Sequence, residues 1–195
     1  MVIEGLLITR SSNGQPHAAA MGPVVREERA DWFELRPFRD TRTLANLQRC
    51  AEGVFHIVDD VLVLARVVTG QPLEEHELRT AQEVHGWIWQ GACSAWEFRV
   101  AGESAGTELR AAIRCRILRR HHLKPFVGFN RARHALLELA ITVTRLHLLP
   151  SDEIRTALAE AERLTQKTGG PRERAALQLL QRTIQARWHG AEQRA

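Results

Sequence analysis

The sequence predicts an α+β protein, with a strand-rich body over about two-thirds of the chain and a helical last third. Two observations carry this. Up to about residue 120, short alternating or apolar segments end at tight-turn residues such as Asn13-Gly14, Gly22-Pro23 and Pro37. After Pro125 the apolar positions Leu136, Leu139, Ala140, Val143 and Leu146 recur at helical spacing. Short antiparallel strands joined by tight turns point to a barrel or sandwich rather than a parallel sheet.

Taken in order, residues 2–10 read as a strand, and Asn13-Gly14 suits a hairpin because both residues tolerate positive φ. Residues 15–21 form the return strand, and Trp32–Arg36 a third one stopped by Pro37. Thr41 or Thr43 caps a short helix carrying Leu44 and Leu47 one turn apart. Residues 53–58 are an apolar strand. Asp59-Asp60 then precedes VLVLARVV, which periodicity alone leaves open between helix and buried strand. Further strands are expected at 87–89, 94–100 and 109–119. Asn130 caps a long helix, Pro150-Ser151-Asp152 breaks it and caps a second over 152–167, and Pro171 opens a third over 172–188. No internal repeat or low-complexity tract is present.

A length of 195 residues with 44% hydrophobic and 26% charged side chains excludes wholesale disorder. The three cysteines, Cys50, Cys93 and Cys115, lack the spacing of a disulfide framework or zinc site and read as reduced thiols. The N-terminus lacks the apolar run of a secretory signal, and no segment approaches the ~20 apolar residues of a membrane helix. A soluble cytoplasmic protein is expected.

Of the 27 basic residues, 25 are arginine. Residues 99–133 hold nine basic and two acidic side chains, a net of +7. Such a stretch can track a nucleic-acid backbone. However, Ala111, Ile113, Cys115 and Ile117 alternate with Arg110, Arg114 and Arg116, as on a strand with one solvated face, and no aromatics interleave to stack on bases. The reading therefore goes against nucleic acid.

The segment from Leu35 to Leu47 contains an arginine at a strand end, Arg36, then Thr41, Thr43 and Asn46 at the start of a helix. A helix N-terminus has unpaired N–H groups and partial positive charge, so phosphate is a natural ligand there. A capped helix with surface arginines is the plainer alternative. No Walker-type or dinucleotide glycine fingerprint occurs. On the later helix, Arg131, His134, Glu138, Thr142 and Arg145 form one polar stripe, either a solvated face or a pocket wall. His56, Asp59 and Asp60 do not make a convincing metal cluster, and an acidic helix start is the better account. His121-His122 reads as an exposed strand end. Trp87, Trp89 and Trp96 read as packing residues, with Trp32 or Trp87 able to flank a ring.

The strand, Asn-Gly turn, and strand ending Ala18-Ala19-Ala20-Met21-Gly22-Pro23, followed by Arg36-Pro37-Phe38 with Thr41, Thr43 and Asn46, resemble the flavin-reductase-like FMN-binding split barrels. The resemblance is closer to an uncharacterised branch of that superfamily. Its further matches are Val58-Asp59-Asp60-Val61, Phe129-Asn130-Arg131-Ala132 with Glu138, Thr144-Arg145-Leu146, and Lys167-Thr168-Gly169-Gly170.

The resemblance implies a six-stranded antiparallel Greek-key split barrel over residues 1–128 and a helical subdomain over 129–195. It also implies FMN as cofactor and a homodimer with the flavin at the subunit interface. Ala19, Ala20, Met21 and Gly22 would approach the flavin ring. Arg36, Thr41 and Thr43 would take the phosphate, and Asn46 would also belong to the cofactor site. No lysine precedes Lys124, so arginine must replace the lysine that pyridoxine-phosphate-type oxidases place near the phosphate. Asn130, Arg131, Glu138 and Arg145 are candidates for a small-molecule substrate pocket. The expected activity is hydride transfer through the flavin, and the alternative is a non-catalytic flavin-binding or partner-docking module.

Overall fold

The computed structural model describes residues 1–27 and 31–192; residues 193–195, the end of the expected helical segment, lie outside the described residues. The chain forms β1 (Gly5–Arg10), β2 (Pro16–Met21), β3 (Trp32–Leu35), α1 (Arg42–Cys50), β4 (Glu52–Ile57) and α2 (Val61–Val68). These are followed by β5 (Leu78–Thr80), β6 (Trp87–Trp89), β7 (Ser94–Ser104), β8 (Ala112–His122), α3 (Arg131–Thr144), α4 (Ser151–Thr168) and α5 (Pro171–Glu192). Six strands make one antiparallel sheet in the order β2-β1-β4-β7-β8-β3, while β5 and β6 form a separate ribbon. The strand-rich body and helical last third are both present. Two compact units result: residues 1–58 with 72–126, and residues 59–71 with 127–195.

In the first unit, β1 and β2 are a hairpin whose turn places Gly14 at φ 80°. The inner face of the sheet buries Leu7, Phe33, Phe55, Trp96 and Phe98 together with Leu44 and Leu47 of α1. Phe33 on the edge strand β3 has its ring 6.3 Å from Phe55 on β4 and 5.1 Å from Phe98 on β7. Three strand spacings would separate β3 from β4 by roughly 14 Å in a flat sheet. The sheet is therefore strongly coiled, with its inner face folded onto itself. Val24 reinforces the coil: it exchanges two backbone hydrogen bonds with Glu34 of β3, at 2.8 and 2.9 Å, and bridges Val2 ahead of β1. Residues 2–4 accordingly fall outside β1 proper, which starts at Gly5.

The ribbon of β5 and β6 covers the outer face of β4 and β7, where Val54 and Ala95 pack on Val84 and Ile88. The fully buried Glu97 carboxylate pins it. Its oxygens accept from the backbone N–H groups of Gln82, Glu83 and Val84 at 2.5–3.1 Å and lie 2.6 Å from His121 Nε2. His121, read from sequence as an exposed strand end, is instead a buried partner with a side chain 9% exposed. The β-bulge between Glu97 and Phe98 sets it on the same, outer face of the sheet as Glu97, beneath the ribbon. His56, also buried, donates from Nδ1 to Leu6 O at 3.1 Å and accepts the Trp89 N–H at 3.0 Å.

In the second unit, VLVLARVV is a helix. The Asp60 carboxylate caps it by accepting the Leu62 N–H at 3.0 Å, and Val61 and Ala65 enter the core of the helical unit with Leu136, Leu139, Leu180 and Ile184. Asn130 caps α3, its Oδ1 accepting the Arg133 N–H at 3.1 Å. The N-cap of α4 is Pro150, which has no side-chain capping bond, so Ser151 and Asp152 already belong to the helix.

Candidate functional site

The structure builds a polar corner where α1 starts against β1 and β2. Thr41 fixes the helix start: its Oγ1 accepts the Leu44 N–H at 3.3 Å and donates to Phe38 O at 2.7 Å. By helix geometry the next N–H groups, those of Arg42 and Thr43, have no intrahelical acceptor and carry the positive end of the helix. Thr43 is buried, and its Oγ1 is 3.4 Å from Nε2 of His17 on β2. Burial, then the Arg42 guanidinium, hold the His17 imidazole below its usual pKa, so the ring is neutral at pH 7. One turn on, Asn46 locks the helix to the sheet. Its Nδ2 donates to Thr9 Oγ1 at 3.0 Å, and its Oδ1 accepts from Arg49 at 3.2 Å. Arg49 also donates to the Arg10 carbonyl.

His17 was not among the residues singled out from sequence. The available signal was alternation: His17, Ala19 and Met21 share one face of β2, opposite Thr9, Leu7 and Gly5 of β1. Ala20 lies on the other face and is exposed. β2 is an edge of the sheet, so alternate backbone N–H and C=O groups point away from β1. At Gly22 the position of a Cβ falls 2.6 Å from Val2 and 2.7 Å from the Glu4 carboxylate, so close packing by itself accounts for glycine there. Arg36 leaves the end of β3 with its side chain 56% exposed and its Nε bonded to Glu34 at 2.6 Å. Its carbonyl accepts from Arg110 at 2.7 Å. Thr41, Thr43 and Asn46 thus lie on one helix. His17 meets Thr43, and Arg36 lies one residue past the end of β3.

The candidates of the helical unit separate. Asn130 is engaged in structure, its Nδ2 donating to Thr168 O at 2.9 Å while its Oδ1 caps α3. Arg131 and Glu138 line a groove of about 290 Å³ between α3 and α4, with His134, Ala135, Ala157, Glu160 and Leu164. Arg145 lies past the end of α3 as its exposed C-cap residue and is not among the groove residues. The segments Asp59-Asp60, Asn130–Ala132 and Thr168–Gly170 converge on one junction. Thr168 Oγ1 accepts the Ala132 N–H at 3.2 Å, Glu173 accepts from Arg133 Nε at 2.8 Å and from the Gly170 N–H, and Arg172 pairs with Asp60.

On the outer face of β3 and β8 the aromatic side chains missing from the basic stretch arrive from elsewhere. Arg114 lies 4.4 Å and Arg116 5.8 Å from the centroid of the Trp32 ring, and Arg110 lies 3.7 Å above Phe38. Trp89 and Trp96 are buried, as packing residues should be. Among the described residues no cluster of three histidine, cysteine or acidic groups is placed to hold a metal, and no helix is long and apolar enough to cross a membrane.

The fold is similar to that of solved flavin reductases and their relatives. Its helical unit and both halves of the sequence point further: residues 3–124 match the N-terminal domain model of a protein family of unknown function, DUF447, and residues 130–182 match that family's second model. The chain belongs to the DUF447 family. An FMN-bound protein of that family from Methanosarcina mazei superposes with a TM-score of 0.80 at 21% identity, covering 93% of this chain and 94% of that one. A 2-nitrobenzoate 2-nitroreductase from Pseudomonas fluorescens gives 0.52 at 17% identity, over 61% of this chain and 64% of that one. Component B of nitrilotriacetate monooxygenase from Bacillus cereus gives 0.53 at 15%, over 66% and 73%. No curated protein matches the sequence.

Proposed function

We propose that the protein binds FMN in a Greek-key split barrel that lies within its first 128 residues and acts as a flavin-dependent oxidoreductase on a small-molecule substrate in the cytoplasm. Residues 129–195 form its helical subdomain, and two chains pair with the flavin at their interface. The observation that carries this reading is the polar corner between β2 and α1, on a fold shared along nearly the whole chain with an FMN-bound family member.

The residues present fit the cofactor. The open N–H groups of α1, the Thr43 hydroxyl and the Arg42 guanidinium offer hydrogen bonds and positive charge to a phosphate dianion. Arg36 adds a forked cation, and Thr41 and Asn46 keep the helix start in place. The small side chains of Ala19 and Ala20 leave the edge of β2 approachable, so its outward N–H groups can meet ring heteroatoms. When bound, FMN supplies a hydride acceptor and donor, and the chain's part is to bind, orient and desolvate. Hydride transfer requires no side-chain acid or base.

An absorbance spectrum followed by titration with FMN tests the reading. Flavin absorbance or saturable binding of one FMN per chain is the expected result, and a colourless protein without saturable binding overturns it. Rapid mixing with NADH or NADPH separates enzyme from carrier: reduction no faster than that of free FMN assigns the non-catalytic role.

A further inference from the structure

Resting on the FMN assignment above, we propose that His17 couples phosphate binding to a proton: as the phosphate enters the corner, the imidazole takes up one proton from solvent and turns the Thr43 hydroxyl toward the ligand. The geometry is the 3.4 Å approach of His17 Nε2 to Thr43 Oγ1 at the first turn of α1. In the neutral ring with its hydrogen on Nδ1, Nε2 is an acceptor, and the Thr43 hydroxyl donates to it. That hydroxyl is then turned away from any anion at the helix start. In the imidazolium both nitrogens are donors, so Nε2–H donates to Oγ1 and the hydroxyl hydrogen must find another acceptor. A phosphate oxygen beside the open N–H groups of α1 is that acceptor. One protonation thus adds a positive charge and frees a donor. The proton balance is simple: one proton passes from solvent to Nε2, and no other bond is made or broken.

The groups facing His17 account for why the proton arrives only with the ligand. From α1 come the cationic Arg42 and the neutral Thr43, and from β1 the neutral Thr9 lies directly opposite. Half-burial and Arg42 both disfavour an imidazolium in the free protein. A dianion offsets Arg42 and favours the charged ring.

Calorimetric titration at pH 7.5 in two buffers of different ionisation enthalpy tests this, because the FMN phosphate, with a second pKa of about 6, is already a dianion there. Wild type is expected to take up a measurable fraction of a proton per FMN bound, and riboflavin, which lacks the phosphate, none. The affinity for FMN should strengthen by up to about tenfold per unit as pH falls from 8 toward 6.5. His17→Gln should bind FMN without proton uptake and with a flatter profile, and Thr43→Val should keep His17 but lose most of the affinity gained on acidification. Equal proton uptake by wild type and His17→Gln overturns the role of His17 while leaving the FMN assignment intact. Absence of FMN binding by both proteins, with circular dichroism of a folded chain, overturns the FMN assignment and the coupling together.

Discussion

Two polar regions of this molecule look alike in sequence and differ in what their side chains are doing. The junction of α3, α4 and α5 and the corner of β2 and α1 are both built around capped helix starts. At the junction the caps and charges are engaged with neighbouring elements: Asn130 bonds on both sides, Thr168 receives the Ala132 N–H, and Glu173 takes Arg133 and Gly170. At the corner, Thr41 and Asn46 are engaged in the same way, but the first N–H groups of α1 have no acceptor within the helix, and Thr43 meets only His17 of the neighbouring strand. Side chains satisfied within the fold hold it together, and those left with donors to offer can recognise something else.

The largest effect that can break this comparison is expected from Arg133→Ala. It removes the guanidinium that pairs with the nearly buried Glu173 carboxylate at 2.8 Å, at a cost of about 2–3 kcal/mol after allowance for partial exposure of the arginine. Thermal unfolding should shift down by several degrees, while FMN affinity per folded molecule stays unchanged. Loss of affinity with an unshifted transition would reverse the two roles.

An effect of similar size should appear on acidification. Burial pushes His56 down to about 4, from about 6.5 in the unfolded chain. Between these values the unfolded state binds more protons, so stability falls as pH drops from about 6.5 toward 4, by a total on the order of 3 kcal/mol. Denaturant titrations across that window check it, and His56→Asn should flatten the slope. Below this range Glu97 adds a second acid-sensitive contribution. Its burial favours protonation, but the bonds from Gln82, Glu83 and His121 outweigh it and hold the pKa below the usual value. That contribution is present above the unfolded carboxylate pKa and is lost as pH falls through the lower folded one.

Arg36→Ala sharpens the corner itself. Removing the charge-assisted donor proposed for the phosphate should weaken FMN binding by about tenfold or more, measured by fluorescence titration, with little change in unfolding because the side chain is exposed. The smallest effect is expected for Arg145→Ala. An exposed residue past the end of α3 should change stability by less than about 0.5 kcal/mol and leave FMN affinity alone.

What the sequence revealed, and what it hid, follows the range of the interactions. The caps at Thr41, Asp60 and Asn130 and the turn at Asn13-Gly14 were legible because each depends on residues within three or four positions. The resemblance motifs fall on β2 and at the start of α1, while of the later candidates Asn130 caps α3 and Glu138 lines the groove between α3 and α4. Three-residue β5 left no periodic signal. The pairing of His121 with Glu97 depends on the register of two strands and on a bulge within it, which alternation cannot reveal. His17 was hidden for the same reason: its partner Thr43 lies 26 residues away, across the fold of α1 onto β2.

The excursion of α2 has a consequence for how the chain is made. Residues 59–71 leave the sheet unit to join helices that begin only at residue 131, and the chain returns at 72 to finish the sheet. During synthesis, at about 5–20 residues per second, the apolar face of Val61 and Ala65 must wait several seconds for Leu180 and Ile184 to emerge. The nascent chain therefore carries the apolar face of α2 without its α5 partners until the last helix is made.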